Sequence, residues 1–211
     1  MRGTLAVLLA CCTLVCGCFK HTGTIALEAR SLEKILQDSG VGRQQFDPQD
    51  PLLQRRAVFV AGPLSLLSAH AICQQLVYLD GLSAEEPIKL LINSPGGDGA
   101  AYLSIRTVMT GIEAPVETVN VGFCGSAAAL LFQSATGKRY AVEGSMFMLH
   151  EPKGDPDELA KTAREHQEEL LRSRCRLPEE WLPLGKRTFT FSAEEALEYQ
   201  FVDAVLPELN L

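Results

Sequence analysis

The chain has 211 residues, of which 46% are hydrophobic and 21% charged, and its formal net charge is −7. This length and balance are typical of one sizeable globular domain with its own core. The negative charge and the shortness of every basic cluster argue against nucleic-acid binding.

Residues 1–46 are predicted to be an N-terminal targeting leader and linker. A basic start at Arg2 and an apolar run at 4–15 are typical of a secretory signal peptide, and the run is too short for a stable membrane span. Phe19 then opens a stretch with few acids, which resembles the two-part leader of algae with complex plastids. That resemblance implies a plastid location. Mitochondrial targeting, secretion, a bacterial lipoprotein leader and a mispredicted gene start are the alternatives.

The domain is predicted over residues 47–211, where strand patterns alternate with helix patterns. The strands are expected at 56–61, 88–93, 115–121, 140–142, 145–149 and 202–206. The helices are expected at 68–82, with Ser68 as N-cap, at 100–111, 126–135 and 156–174, and from Ser192 to near Gln200. Such alternation predicts an α/β fold with mostly parallel strands.

Ser126 lies where an apolar, β-branched run passes into a helix-forming run. At a helix start, free N–H groups and the helix dipole favour negative charge, so a serine there can serve as a nucleophile. The other interpretation is an N-cap serine at the start of a buried helix.

Two further positions have the residue types that acyl transfer requires. Gly96 and Gly97 follow a predicted strand, and glycines allow backbone N–H groups to approach a substrate closely, although a tight turn would also explain them. His150 is at the carboxyl end of a predicted strand, where it fits a general base or a structural histidine. His70 and His166 are expected to be solvated, and His21 falls in the leader.

The cysteines indicate neither a metal site nor a disulfide framework. Four of the seven fall within the first 18 residues, and Cys73, Cys124 and Cys175 are far apart in the sequence. We therefore predict no metal.

Five motifs, in order, resemble those of the Clp protease proteolytic subunit. They are Ile92–Gly97 (INSPGG), Val121–Ala127 (VGFCGSA), Gly137–Ala141 (GKRYA), Met148–Pro152 (MLHEP), and Phe191–Ala196 (FSAEEA) with Val202-Asp203. The resemblance extends from about Leu52 to Leu206. It implies a crotonase-like ββα superhelix with a protruding helical handle, and an ATP-dependent serine endopeptidase.

The same resemblance implies an assembly. Its subunits form homo- or hetero-heptameric rings, stacked as a tetradecamer around a closed chamber, and a ring-shaped AAA+ Clp ATPase delivers unfolded proteins. The ATP belongs to that partner, so no cofactor is expected in this chain.

Transferred residue by residue, the resemblance assigns Ser126 as nucleophile and His150 as general base. The backbone N–H groups of Gly97 and Ala127 would form the oxyanion hole, with Ala127 in place of the usual methionine. The position of the family's triad acid is occupied by Thr188, and Asp98 puts a negative charge next to the oxyanion glycine.

The missing acid leaves three readings of the function open. The subunit is a serine endopeptidase, in which Glu179, Glu180, Asp155 or Asp157 replaces the acid or Thr188 holds the histidine. Alternatively it is a weakly active or non-catalytic structural ring subunit of a mixed Clp complex. A third reading is a crotonase-type acyl-CoA enzyme, which would not need a serine–histidine pair.

Overall fold

A seven-stranded sheet forms the frame of the molecule. The structure is a computed structural model, and it describes residues 47–151 and 158–210. The strands are β1 (Ala57–Ala61), β2 (Ile88–Ser94), β3 (Val116–Gly125), β4 (Arg139–Val142), β5 (Met146–His150), β6 (Thr188–Ser192) and β7 (Ala204–Leu206). The helices are α1 (Leu66–Leu82), α2 (Gly99–Gly111), α3 (Ala127–Gln133), α4 (Glu158–Arg174) and α5 (Ala193–Glu198).

The order of the strands brings the ends of β2, β3 and β5 together. The main path is β1-β2-β3-β4-β7, and β5 joins the distal half of β3 on one side and β6 on the other. Every pairing is parallel except that of β5 with β6. The predicted α/β fold with mostly parallel strands is confirmed.

The core lies mainly between the sheet and its helices. Alternate side chains of β2 point to opposite faces, as strand geometry requires. Leu90 belongs to the large cluster that includes Leu76 of α1 and Ile105 of α2. Leu91 points to a smaller cluster with Val119 on the other face. Four phenylalanines from α3, β5, β6 and the chain before β7 pack ring against ring within the large cluster: Phe132, Phe147, Phe191 and Phe201.

Several predicted boundaries need correction. Ser65, not Ser68, is the N-cap of α1, and Ser68 is the third helical residue, which completes the capping box. Strand β6 was not predicted, and β3 continues four residues beyond the expected end at Val121. The helix expected at 126–135 begins at Ala127 and ends at Gln133.

Some predictions lie outside the described residues. They are the leader at 1–46 and the candidate acids Asp155 and Asp157. The protruding handle stays a prediction, although the second half of α4 packs on the domain through the buried side chain of Leu171. Among the described residues, no helix combines the length and apolarity needed to cross a membrane.

Candidate active site

The predicted site residues come together at one edge of the sheet. Ser94 of β2 pairs with Cys124 of β3, and Gly125 pairs with Met148 of β5. Because the carboxyl ends of parallel strands share one edge, the loop after β2, the turn after β3 and the last residue of β5 adjoin there. The Ser126 N–H fixes this arrangement by donating to the Met148 carbonyl over 2.8 Å.

Ser126 has a backbone conformation that L-residues rarely adopt. Its φ is 54° and its ψ is −125°, and it joins β3 directly to α3. The serine side chain makes no capping hydrogen bond to the helix, so the interpretation of Ser126 as an N-cap by its hydroxyl is wrong. A strained residue whose hydroxyl does not cap its helix indicates a functional position.

The glycines after β2 press against the serine turn. A Cβ on Gly96, whose φ is 90°, would lie 2.9 Å from the Ser126 Cβ and 2.8 Å from the Ala127 nitrogen. Real Cβ atoms do not come that close, so this approach requires glycine at position 96. The neighbouring Gly97 has a φ of 146°, and its α-carbon lies against the backbone of Leu64. The loop and the serine turn therefore form one packed unit.

Two backbone N–H groups beside the serine have no acceptor in the described part of the chain. Leu64 pairs with Gly97 in a parallel bridge, in which it bonds to the Gly96 carbonyl and the Asp98 N–H. That pattern directs the N–H of Gly97 away from Leu64. The N–H of Ala127 belongs to the first turn of α3, where no preceding helical carbonyl exists to accept it. These are the two donors that the family resemblance assigns to an oxyanion hole, and that role stays a prediction.

The carboxylate of Asp98 has a structural partner. Its Oδ1 accepts a hydrogen bond of 2.9 Å from the Ala101 N–H, so Asp98 is the N-cap of α2. The negative charge next to Gly97 is therefore directed at the start of α2, where the helix dipole stabilises it.

Cys124 is not a competing nucleophile. Its side chain is completely buried, and burial raises the pKa of the thiol well above its ordinary value. Since the thiolate is the reactive form, this thiol is inert. Ser126 is the half-exposed nucleophilic side chain at this edge.

The His150 ring bonds to the main chain. Its Nδ1 lies 2.6 Å from the carbonyl oxygen of Glu151. Thr188 lies directly across from His150 in the β5–β6 pair, but it is exposed, and no hydrogen bond links its hydroxyl to the ring among the described residues. Glu179 and Glu180 are exposed on a short 3-10 helix and make no described contact with His150.

Helix α4 contributes contacts that the sequence did not predict. Gln167 donates to the His150 carbonyl, and Arg164 pairs with the Glu151 carboxylate. The one signal available was a glutamine at the buried position of a charged amphipathic helix.

The other two histidines of the domain lie outside this site. His166, expected to be solvated, has its Nε2 3.2 Å from the Tyr102 hydroxyl, and its pKa is lowered, mainly by burial. His70 is exposed, as expected.

A serine on a strained turn, two backbone donors without an acceptor among the described residues, and a histidine at the end of the neighbouring strand are residue types that acyl transfer uses. A model of the Clp protease family matches residues 40–208, and the chain belongs to that family. The mostly parallel sheet with its helices agrees with the crotonase-like fold, and the family indicates a peptidase.

Proposed function

We propose that this chain is the proteolytic subunit of an ATP-dependent Clp-type protease, a serine endopeptidase that hydrolyses peptide bonds of unfolded proteins. The observation that carries the proposal is the strained Ser126, whose turn packs against the loop containing Gly97 and lies beside the strand that ends at His150. A structural helix start would not need this strain, which is worth about 1–3 kcal/mol.

The chemistry follows from these residues. The Ser126 oxygen forms a bond to the carbonyl carbon of the peptide, and Nε2 of His150 accepts the hydroxyl proton. The carbonyl oxygen becomes an oxyanion and accepts hydrogen bonds from the Gly97 and Ala127 N–H groups. The C–N bond breaks, and His150 protonates the departing amine. Water then attacks the carbonyl carbon of the acyl ester while His150 accepts its proton. The ester C–O bond breaks, Ser126 regains its proton, and a carboxylic acid is released. Since both oxyanion donors are backbone groups, Ala127 can replace methionine there.

The assembly belongs to the same proposal. Membership of the Clp protease family supports ring oligomers that work with Clp ATPases. We infer heptameric rings stacked around a chamber, with the ATP hydrolysed by the AAA+ partner and none bound here. Native mass spectrometry of the purified chain tests this. A mass of seven or fourteen subunits supports a homomeric ring, whereas a ring that forms only with added paralogues supports a mixed one.

The second candidate is a structural ring subunit with little activity of its own. It is favoured by Thr188 at the position of the triad acid, since losing that acid costs about 10⁴ in rate in other serine proteases. Ser126 and His150 favour catalysis, because a purely structural subunit would not need either side chain.

A fluorophosphonate probe separates these two candidates. We expect covalent labelling that maps to Ser126 and is lost in His150→Ala. The matched control is His70→Ala, which makes the same substitution at an exposed histidine of α1 and should leave labelling unchanged. An assembled ring in which Ser126 stays unlabelled would refute the catalytic function and support the structural one.

A further inference from the structure

The carbonyl of Glu151 determines which nitrogen of His150 carries the proton. A carbonyl oxygen can only accept, so Nδ1, at 2.6 Å, must be the donor. The lone pair of the neutral ring is then on Nε2, the nitrogen that a general base uses in the proposed reaction. In serine proteases with a complete triad, the acid enforces this tautomer. Here a main-chain oxygen does so.

Helix α4 holds that carbonyl in place from two sides. Nε2 of Gln167 donates to the His150 carbonyl oxygen over 3.0 Å, and Nε of Arg164 lies 3.3 Å from the Glu151 carboxylate. The two residues are three apart and therefore lie on the same face of the helix. Gln167 is only 4% exposed, although its helix is otherwise strongly charged. A polar side chain is buried at this cost when it has a specific partner.

These contacts act on the segment that immediately follows β5. His150 is the last residue of that strand, and Glu151 lies outside any regular element. A carbonyl in such a segment could rotate by changing one backbone dihedral. That dihedral is the ψ of Glu151. Gln167 anchors the peptide unit just before it through the His150 carbonyl, and Arg164 anchors the Glu151 side chain. Together these two contacts restrict the rotation of the Glu151 carbonyl.

We propose that Gln167 and Arg164 are positioning residues that orient the Glu151 carbonyl, which in turn holds His150 in its Nδ1–H tautomer in place of the missing triad acid. The inference rests on the proposed serine chemistry for its role in catalysis. The carbonyl supplies orientation without negative charge, so it replaces one of the two contributions of the acid. Thr188 is not required for this arrangement.

The kinetic test uses the full chain and the fluorophosphonate probe. Gln167→Met keeps the length of the side chain and removes the donor, and Arg164→Ala removes the ion pair at a half-exposed position. We expect the maximal labelling rate to fall by roughly tenfold to a hundredfold in each, with an unchanged probe concentration at half-maximal rate. Arg172→Ala is the matched control, since it removes another arginine–glutamate pair of α4, with Glu168, and should label as the wild type does.

The second test does not depend on activity. Long-range ¹H–¹⁵N spectra of histidine-labelled protein distinguish the two tautomers, and His150→Gln identifies the signal. We expect the Nδ1–H form in the wild type and in Arg172→Ala, and a shift toward the Nε2–H form in Gln167→Met and Arg164→Ala, because the neutral ring in water prefers Nε2–H.

The outcomes separate the two proposals. An Nε2–H ring in the wild type, or folded Gln167 and Arg164 variants that keep both tautomer and labelling rate, would overturn the positioning role while leaving the serine chemistry intact. The expected tautomers in a protein that never labels would support the positioning role and overturn the serine chemistry. Circular dichroism at the assay temperature establishes that each variant is folded.

Discussion

At the scale of single residues, the backbone of Ser126 is the feature that a structural role does not explain. Its φ of 54° and ψ of −125° suit glycine better than any L-residue. We therefore expect Ser126→Gly to be more stable than Ser126→Ala by about 1 kcal/mol, because glycine relieves the strain and alanine retains it. Urea unfolding of both variants measures the difference, and neither should react with the probe. Greater stability of the alanine variant would show that the turn is unstrained.

Thr188 gives a prediction in the opposite direction, a gain of activity. Its Cα is paired with that of His150 across β5 and β6. In Thr188→Asp a carboxylate would stand beside the ring and stabilise the imidazolium, which the neutral Glu151 carbonyl cannot do. We expect the labelling rate of Ser126 to rise at least about tenfold. Thr188→Asn is the matched control, since it has the same shape without the charge, and an equal rise in that variant would contradict the electrostatic explanation.

The sequence predicts candidate side chains and two backbone N–H donors for the site, but it does not predict the contacts of the backbone carbonyls. Ser126, Gly97 and His150 were predicted because their residue types and positions relative to strands are informative. The Glu151 carbonyl was not, because every residue has a carbonyl and no residue type marks one that is used. Gln167 was missed for a related reason: its partner is also a backbone oxygen, seventeen residues away in the chain.

At the scale of elements, β3 is the strand that builds the site by changing partners. Residues 118–120 pair with β4, whereas residues 123–125 pair with β5. Between these two segments the backbone ladder is interrupted. The side chain of buried Asn120 bonds to backbone groups there: it donates to the Met146 carbonyl over 2.9 Å and accepts from the Gly122 N–H. The side-chain amide of Asn120 thus replaces the strand partner that is missing at the fork.

We expect Asn120→Leu to destabilise the fold by about 1–3 kcal/mol, because it leaves a part-buried carbonyl and a part-buried N–H without these partners. Urea unfolding measures this. The control is Asn93→Leu, at an exposed asparagine that accepts one bond at the same fork, and it should cost less. Equal losses would mean that the side-chain bonds of Asn120 contribute nothing beyond packing.

The elements that sequence patterns placed well are those with local signals. Helix α5 has a capping box at Ser192, and β2 is a continuous apolar run, so both were predicted nearly to their ends. Strand β6 was missed because its alternation of threonine and phenylalanine spans only four residues and its pairing with β5 is distant in sequence. The fork in β3 was missed because hydrophobic alternation does not show which neighbour a strand pairs with.

At the scale of the whole molecule, Arg139 connects parts of the fold that are far apart in sequence. It bonds to Gln133 at the end of α3, to the Arg174 carbonyl at the end of α4 and to the Asp203 carboxylate before β7. It is 8% exposed. Gly137–Ala141 and Val202-Asp203 resemble family motifs, and the network gives one residue of each, Arg139 and Asp203, a structural role.

The Arg139–Asp203 pair makes stability depend on pH. Burial alone would raise the pKa of Asp203, but hydrogen bonds from the Arg139 side chain and backbone, with the positive charges of Arg139 and Lys138, lower it overall. A carboxyl with a lowered folded-state pKa stabilises the fold fully above its unfolded-state pKa of about 3.9, and this contribution is lost as the pH falls through the folded-state value.

We therefore expect Asp203→Asn to reduce the free energy of unfolding by about 0.5–1.5 kcal/mol at neutral pH, since solvent screens this partly exposed carboxylate, and the difference from wild type to shrink steadily below about pH 4. Urea unfolding from pH 7 down to pH 3 measures it. Glu86→Gln is the matched control, because that carboxylate is more exposed than Asp203, 70% against 32%, and lies 3.8 Å from Arg56, where an ion pair contributes little. A difference for Asp203→Asn that stays constant across the acid range would show that the charge of this carboxylate does not stabilise the junction of α3, α4, β4 and β7.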